Sequence, residues 1–208
     1  MFSRIPSSEL NIFEKHSRVA FLGASGSGKT NLFINLVKKY GGLFDEIIII
    51  GGDLFNIPGI PHLRRDDEFD ILNKDDLKRS LILIDDSLYV PKLLKTVAEA
   101  FTRIRHKNAS IAICSQNLFH NTSEYRCILN NTSHVFLLKT RNINQIKLFG
   151  KSFLADKQIE NFLEIYRKIV LKIPYGYILI DFCKDFDSPL IVRTNVFGEE
   201  RYEIAFSV

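Results

Sequence analysis

Residues 23–30 read Gly23-Ala24-Ser25-Gly26-Ser27-Gly28-Lys29-Thr30 and fit the pattern G-x-x-x-x-G-K-[ST]. No other stretch of the chain restricts the fold as much. Its glycines let the backbone bend through conformations that a Cβ would block, and let it come close to a bound group. Successive N–H groups then point inward and form a nest for an anion. Such a loop needs a buried strand before it and a helix after it, and the sequence supplies both. Arg18-Val19-Ala20-Phe21-Leu22 is a short apolar run suited to a strand, and Leu32, Phe33, Leu36, Val37 and Tyr40 fall on one helical face before Gly41-Gly42 stops the helix. A Gly/Ser-rich turn with an incidental lysine would lack this frame.

The chemistry follows from the residue types. Gly23, Ala24, Ser25, Gly26, Ser27, Gly28, Lys29 and Thr30 are read as the cradle for the phosphates of a nucleoside triphosphate. Lys29 brings a compact positive charge to the β and γ phosphates, and the Thr30 hydroxyl can ligate Mg2+. The dipole of the following helix also favours negative charge.

Further runs extend the pattern. Asp45–Ile50 is a β-branched run closed by Gly51-Gly52, which predicts a second buried strand. Residues 53–79 are polar and contain proline, which predicts loops and a short helix. Their acidic residues are read as a solvated face. Leu81–Ile84 is apolar and ends in Asp85-Asp86, which puts two carboxylates at the C-terminal end of a strand. In α/β sheets that end faces the ligand crevice. Asp85 is placed to hold the Mg2+ shell, and Asp86 to orient or deprotonate the attacking water. Pro91–Ile104 has helical periodicity and runs into the basic cluster Arg103–Asn108, which includes Arg105. By itself such a cluster is a solvated helix end. Ala109–Cys114 follows as a buried strand, ending at Ser115-Gln116-Asn117, where the Gln116 amide could sense the γ-phosphate or position water.

The remaining chain predicts a short helix over Thr122–Leu129 carrying Arg126, a strand over His134–Lys139, and helices over Asn144–Gly150 and Asp156–Val170. Tyr175–Phe182 and Leu190–Phe197, joined by the acidic turn Cys183–Pro189, predict a C-terminal antiparallel hairpin. Residues 1–17 carry no motif and read as a short β or irregular lead-in covering the first strand. The expected fold is α/β, a mostly parallel central sheet flanked by helices, with 1–208 as one domain.

Composition excludes several classes. A net charge of +4 permits contact with nucleic acid without requiring it. The three cysteines show no C-x-x-C spacing, which argues against a disulfide framework or a zinc site. Met1–Lys15 lacks the continuous apolar segment of a secretory signal, and no apolar run approaches the roughly 18 residues of a membrane span. The chain is therefore expected not to be secreted and to have no membrane span.

The order of these motifs resembles the additional-strand ATPases of the FtsK–HerA superfamily. Within it the resemblance is strongest to the poxvirus-like viral genome-packaging ATPases, which include virophage and Polinton-type relatives. Arg105-His106-Lys107-Asn108-Ala109-Ser110-Ile111-Ala112-Ile113-Cys114-Ser115-Gln116-Asn117-Leu118-Phe119 carries the specific part, within a likeness spanning residues 16–200. It implies a P-loop NTPase fold of the RecA/FtsK type. It implies Lys29 and Thr30 as Walker A residues, Asp85 as the Walker B metal ligand, and Asp86 where many relatives carry glutamate. Gln116 matches the sensor, Arg105 the arginine finger offered to a neighbouring subunit, and Arg126 is a second candidate for that role. The implied activity is ATP hydrolysis coupled to translocation of double-stranded DNA into a capsid. The implied cofactors are ATP and Mg2+. The implied partners are double-stranded DNA, a ring-shaped homo-oligomer, and a capsid vertex or portal component. The implied setting is the virion or the host cytoplasm or nucleus.

Two other readings share the phosphate loop: a small-molecule or nucleotide kinase, and a structural component that uses ATP only to stabilise assembly. Asp85-Asp86 with Gln116 favours water as acceptor over the first. Retention of every catalytic residue type argues against the second.

Overall fold

Runs such as Ile47–Ile50, Leu81–Ile84 and Ile111–Ile113 are too apolar for a strand with one wet face, and each becomes a strand buried on both. The computed structural model describes residues 3–5, 12–13, 16–51, 63–65, 69–85, 91–118, 122–182, 190–198 and 201–206. Its strands are β1 (Ser3–Ile5), β2 (Arg18–Leu22), β3 (Glu46–Ile50), β4 (Leu63–Arg65), β5 (Ser80–Asp85), β6 (Ala109–Ser115), β7 (His134–Leu137), β8 (Ile178–Asp181), β9 (Leu190–Thr194) and β10 (Arg201–Phe206). Its α-helices are α1 (Lys29–Tyr40), α2 (Pro91–Arg103), α3 (Ser123–Asn130), α4 (Ile143–Lys151) and α5 (Asp156–Tyr166).

The strands form one sheet in the order β1-β10-β9-β8-β7-β2-β6-β5-β3-β4. From β7 to β4 every pairing is parallel. From β7 to β1 every pairing is antiparallel. Strand β6 thus stands between β2, which feeds the phosphate loop, and β5, which ends in Asp85.

Alternate residues of each strand enter different layers, as the two-residue side-chain period requires. Val19 and Phe21 of β2 pack with Leu32, Phe33, Leu36 and Val37 of α1. Ala20 and Leu22 pack on the other face, in the core to which α2, α3, α4 and α5 contribute. On the α1 side the rings of Phe21 and Phe136 stack with centroids 4.8 Å apart, and Phe136 stacks on Phe197 at 6.0 Å. That column ties the phosphate-loop strand to the antiparallel block.

The predicted hairpin is present as β8 and β9, its turn over 183–189 lying outside the described residues; it continues into β10, which sequence reasoning missed, and into β1 of the lead-in. The lead-in is divided. Ile12 and Phe13 are buried on the α1 face, as a cover for the first strand would be. Strand β1 instead pairs with β10 at the far edge of the sheet. Residues 63–65 form an edge strand beside β3 rather than a loop. The helix after Asp156 changes to a π-helical turn over Arg167–Leu171.

Candidate functional site

The phosphate loop leaves β2 and enters α1 through two left-handed residues, Gly26 with φ 73° and Gly28 with φ 96°. Neither conformation suits a residue with a Cβ. Gly23 is constrained by space instead, because a Cβ there would lie 2.8 Å from the Leu138 Cβ. The loop is tied to both flanking strands. The Gly23 N–H donates to the Ser115 carbonyl at 3.1 Å, and the Ala24 N–H to the Lys139 carbonyl at 2.8 Å.

The Lys29 side chain is only 8% exposed. Its ammonium donates to the Gly23 carbonyl at 2.8 Å and to the Ala24 carbonyl at 3.1 Å, which holds it in the hollow of its own loop. An ammonium has three N–H donors, so one is left over for a ligand. The Ser27 hydroxyl is buried and has no hydrogen-bond partner among the described residues. A buried polar atom of that kind is costly unless something fills its need. Loop, lysine and orphan hydroxyl together fit a polyphosphate.

Thr30 is exposed in the first turn of α1, and Asp85 is half-buried at the end of β5. In register Leu22 pairs with Ser115, and Asp85 with Cys114. Asp85 therefore lies two strand spacings, about 10 Å, across the sheet from the start of the loop. A hydroxyl and one carboxylate are the protein donors Mg2+ takes when phosphate oxygens and water fill its other places. Asp86 lies outside the described residues.

Gln116 follows directly on β6, at the same end of the sheet. Its turn is held by Tyr125 of α3. The buried Tyr125 hydroxyl donates to the Asn117 carbonyl and reaches the Ser115 Oγ at 3.3 Å. Burial pushes the Tyr125 phenol up to about 12, so it stays a neutral donor. A second tyrosine does the same for the neighbouring loop. The Tyr166 hydroxyl of α5 donates to the Leu138 carbonyl at 3.1 Å and accepts from the Thr140 N–H at 3.0 Å. That loop carries the Lys139 carbonyl on which Ala24 hangs. Sequence reasoning missed both tyrosines, since a tyrosine at a helical core position shows nothing of where its hydroxyl ends.

The two arginines lie apart. Arg105 is exposed in a 3-10 turn before β6, at the opposite end of the parallel strands from the phosphate loop, about 20 Å along the strand direction. Its Nε–H donates to the His106 Nε2 at 3.1 Å. It borders a cleft of about 560 Å³ lined also by His16, Phe44, Arg79 and Asn108. The rest of the basic cluster is not one face. Lys107 is buried, donating to the Leu72 carbonyl at 3.0 Å and pairing with Asp75 at 3.3 Å. Arg126 is exposed on α3.

Strand–loop–helix, an intervening β6, and a carboxylate and an amide at the same sheet end define the fold of the additional-strand P-loop ATPases. Solved structures with this fold include B204, the DNA-packaging ATPase from Sulfolobus turreted icosahedral virus, at TM-score 0.54 and 15% identity over 82% of this chain and 94% of that one. The genome packaging NTPase B204 of Sulfolobus turreted icosahedral virus 2 in complex with ATP-gammaS superposes at TM-score 0.58, with 15% identity over 82% of this chain and 94% of that one. The type VII secretion ATPase EccC of Thermomonospora curvata matches at TM-score 0.54 and 12% identity, over 93% of this chain and 26% of that one. No protein-family model and no curated sequence matches the chain.

Proposed function

We propose that the chain is an ATP-hydrolysing motor subunit that translocates double-stranded DNA into a viral capsid. The observation that carries this reading is the convergence of the phosphate loop, Asp85 and Gln116 at one end of the sheet, with β6 between the first two. The likeness of fold to B204, a DNA-packaging ATPase, supports it.

Bound Mg-ATP supplies the γ-phosphoryl group whose transfer to water releases the free energy. The loop N–H groups and Lys29 bind the phosphates and offset the charge that develops on the γ-phosphoryl oxygens. Thr30 and Asp85 would hold Mg2+. Gln116, fixed by the Tyr125 hydroxyl, orients the attacking water, and Asp86 is assigned by sequence order as the group that takes its proton. Residues 1–208 are read as one domain. Arg105 is too far from its own phosphate loop to act there, so its place is at the loop of a neighbour in a homo-oligomeric ring. An arginine in trans is worth about 10³ to 10⁵ in rate. Arg126 is the other arginine for this role. The partners are double-stranded DNA, further copies in the ring, and a capsid vertex or portal component. The setting is the virion or the host cytoplasm or nucleus.

Phosphate release measured against protein concentration, with and without double-stranded DNA, tests the reading. Turnover per subunit should rise with concentration and again with DNA. Turnover that ignores both, or phosphoryl transfer to a nucleoside in place of water, would overturn it.

A further inference from the structure

We propose that Tyr175 is the stacking platform for the base of the nucleotide whose phosphates occupy the loop, which rests on the nucleotide-binding reading above. Residues Ile173-Pro174-Tyr175-Gly176 form a tight turn in which the Gly176 N–H donates to the Ile173 carbonyl at 2.9 Å. Proline at the second position fixes a negative φ, and Tyr175 at the third has φ 54°. That combination is a type II turn, whose third position is the natural place of glycine. The chain places its glycine one residue later, where a Cβ would lie 2.2 Å from the Ile169 carbonyl oxygen. A large side chain therefore occupies the strained position, and nothing about the turn itself calls for it.

The ring's surroundings point to a use. Tyr175 is 69% exposed, so it adds little to the core. It nonetheless lies against the phosphate loop, since a Cβ on Gly28 would come within 3.0 Å of the Tyr175 Cδ1. Gly28 is the last loop residue before α1, so the ring borders the nest that would take the phosphates of a bound nucleotide. Of the five exposed large apolar side chains among the described residues, three, Leu171, Ile173 and Tyr175, belong to this segment. An exposed aromatic ring bordering a phosphate nest matches a nucleoside triphosphate, which has charge at one end and a flat π-face at the other. Stacking of a base on an aromatic ring is sequence-tolerant and strong enough to hold the nucleoside.

The test compares ATP with inorganic tripolyphosphate, which carries the same charged groups and no base. Both are titrated calorimetrically, with Mg2+ and Lys29 intact, into the wild-type chain, Tyr175→Gly and Tyr175→Phe. Tyr175→Gly should weaken ATP about tenfold and leave tripolyphosphate unchanged, and Tyr175→Phe should keep wild-type ATP affinity. The melting temperature of Tyr175→Gly should stay within about 2 °C of wild type, because relief of left-handed strain offsets the added freedom of the unfolded chain. Unchanged ATP affinity in Tyr175→Gly, or an equal loss for both ligands, overturns the proposal while leaving nucleotide binding intact. A wild-type chain that binds neither ligand overturns the nucleotide-binding reading itself, and this proposal with it.

Discussion

Lys29 and Asp85 stand at the C-terminal end of the parallel strands, and neither contributes apolar surface to the core. Lys29→Ala should therefore abolish ATP binding and hydrolysis while circular dichroism stays that of the wild type. Asp85→Ala should abolish hydrolysis with the fold retained; full turnover in either variant would refute the site. His134 makes a separate prediction, about stability. It is buried at the start of β7, facing Asp181 at 3.7 Å, with Arg193 beyond it and the Ser133 hydroxyl 3.1 Å from its Nδ1. Burial lowers its pKa from 6.5 to about 4, outweighing the upward pull of Asp181, with Arg193 adding to the fall. At neutral pH the pair is thus a neutral ring beside a carboxylate. Between those two values the unfolded chain binds the proton and the folded chain does not. Stability falls as the pH drops through that window, by roughly 2 kcal/mol from pH 7 to pH 5 from this residue. Urea denaturation at the two pH values measures it, and His134→Gln should remove that part of the slope.

The elements transmit position to the site through their tyrosines. α3 fixes the Gln116 turn through Tyr125, and α5 fixes the Lys139 loop through Tyr166. Tyr125→Phe leaves the ring in the core and deletes only the hydroxyl that reaches Asn117 and Ser115. It should cost about 1 kcal/mol of stability. Its effect on turnover should be larger than its effect on ATP affinity, because the role proposed for Gln116 is on water and not on the bound nucleotide. Single-turnover rates and a binding titration separate the two; a loss confined to affinity would place the latch elsewhere in the cycle. The aromatic column is the corresponding packing element. Phe136 is fully buried between Phe21 and Phe197. Phe136→Ala should cost about 3–5 kcal/mol in chemical denaturation.

At the scale of the whole molecule, the two ends of the parallel sheet carry different chemistry. The residues proposed to bind nucleotide gather at the C-terminal ends of the strands, and Arg105 lies at the other end. Arg105→Ala should leave ATP affinity nearly intact and lower turnover. Mixing Arg105→Ala with Lys29→Ala subunits should restore part of the activity, since some interfaces then join an intact loop to an intact arginine. If Arg126→Ala behaves this way and Arg105→Ala does not, the finger is Arg126. No recovery in mixed rings that demonstrably form would exclude a trans arginine. A net charge of +4 spread over 208 residues should give weak DNA binding per subunit. Affinity should fall steeply with salt and ignore sequence, because phosphate contacts act by counterion release.

The sequence by itself determined the local elements and the phosphate loop. Glycines at 26 and 28 were legible because left-handed backbone needs them, and the strands ending at Leu22, Asp85 and Ser115 because doubly buried strands are uniformly apolar. The ends of several elements were less legible. Tyr175 reads as the start of a strand, yet Pro174 and Gly176 make it the corner of a turn. Leu190–Phe197 reads as one strand, yet the turn at Asn195–Gly198 closes it at Thr194. Only the tertiary structure decided what depends on distant neighbours. β1 and β10 are partners from opposite ends of the chain, and a three-residue strand has no periodicity of its own to announce it. The hydroxyls of Tyr125 and Tyr166 find carbonyls that no spacing reveals. The contact of Tyr175 with Gly28 joins residues 147 positions apart through the packing of β8 beside β7 and β2. Backbone conformation and burial are written one residue at a time, whereas a site assembled from several strand ends exists only once the strands are in order.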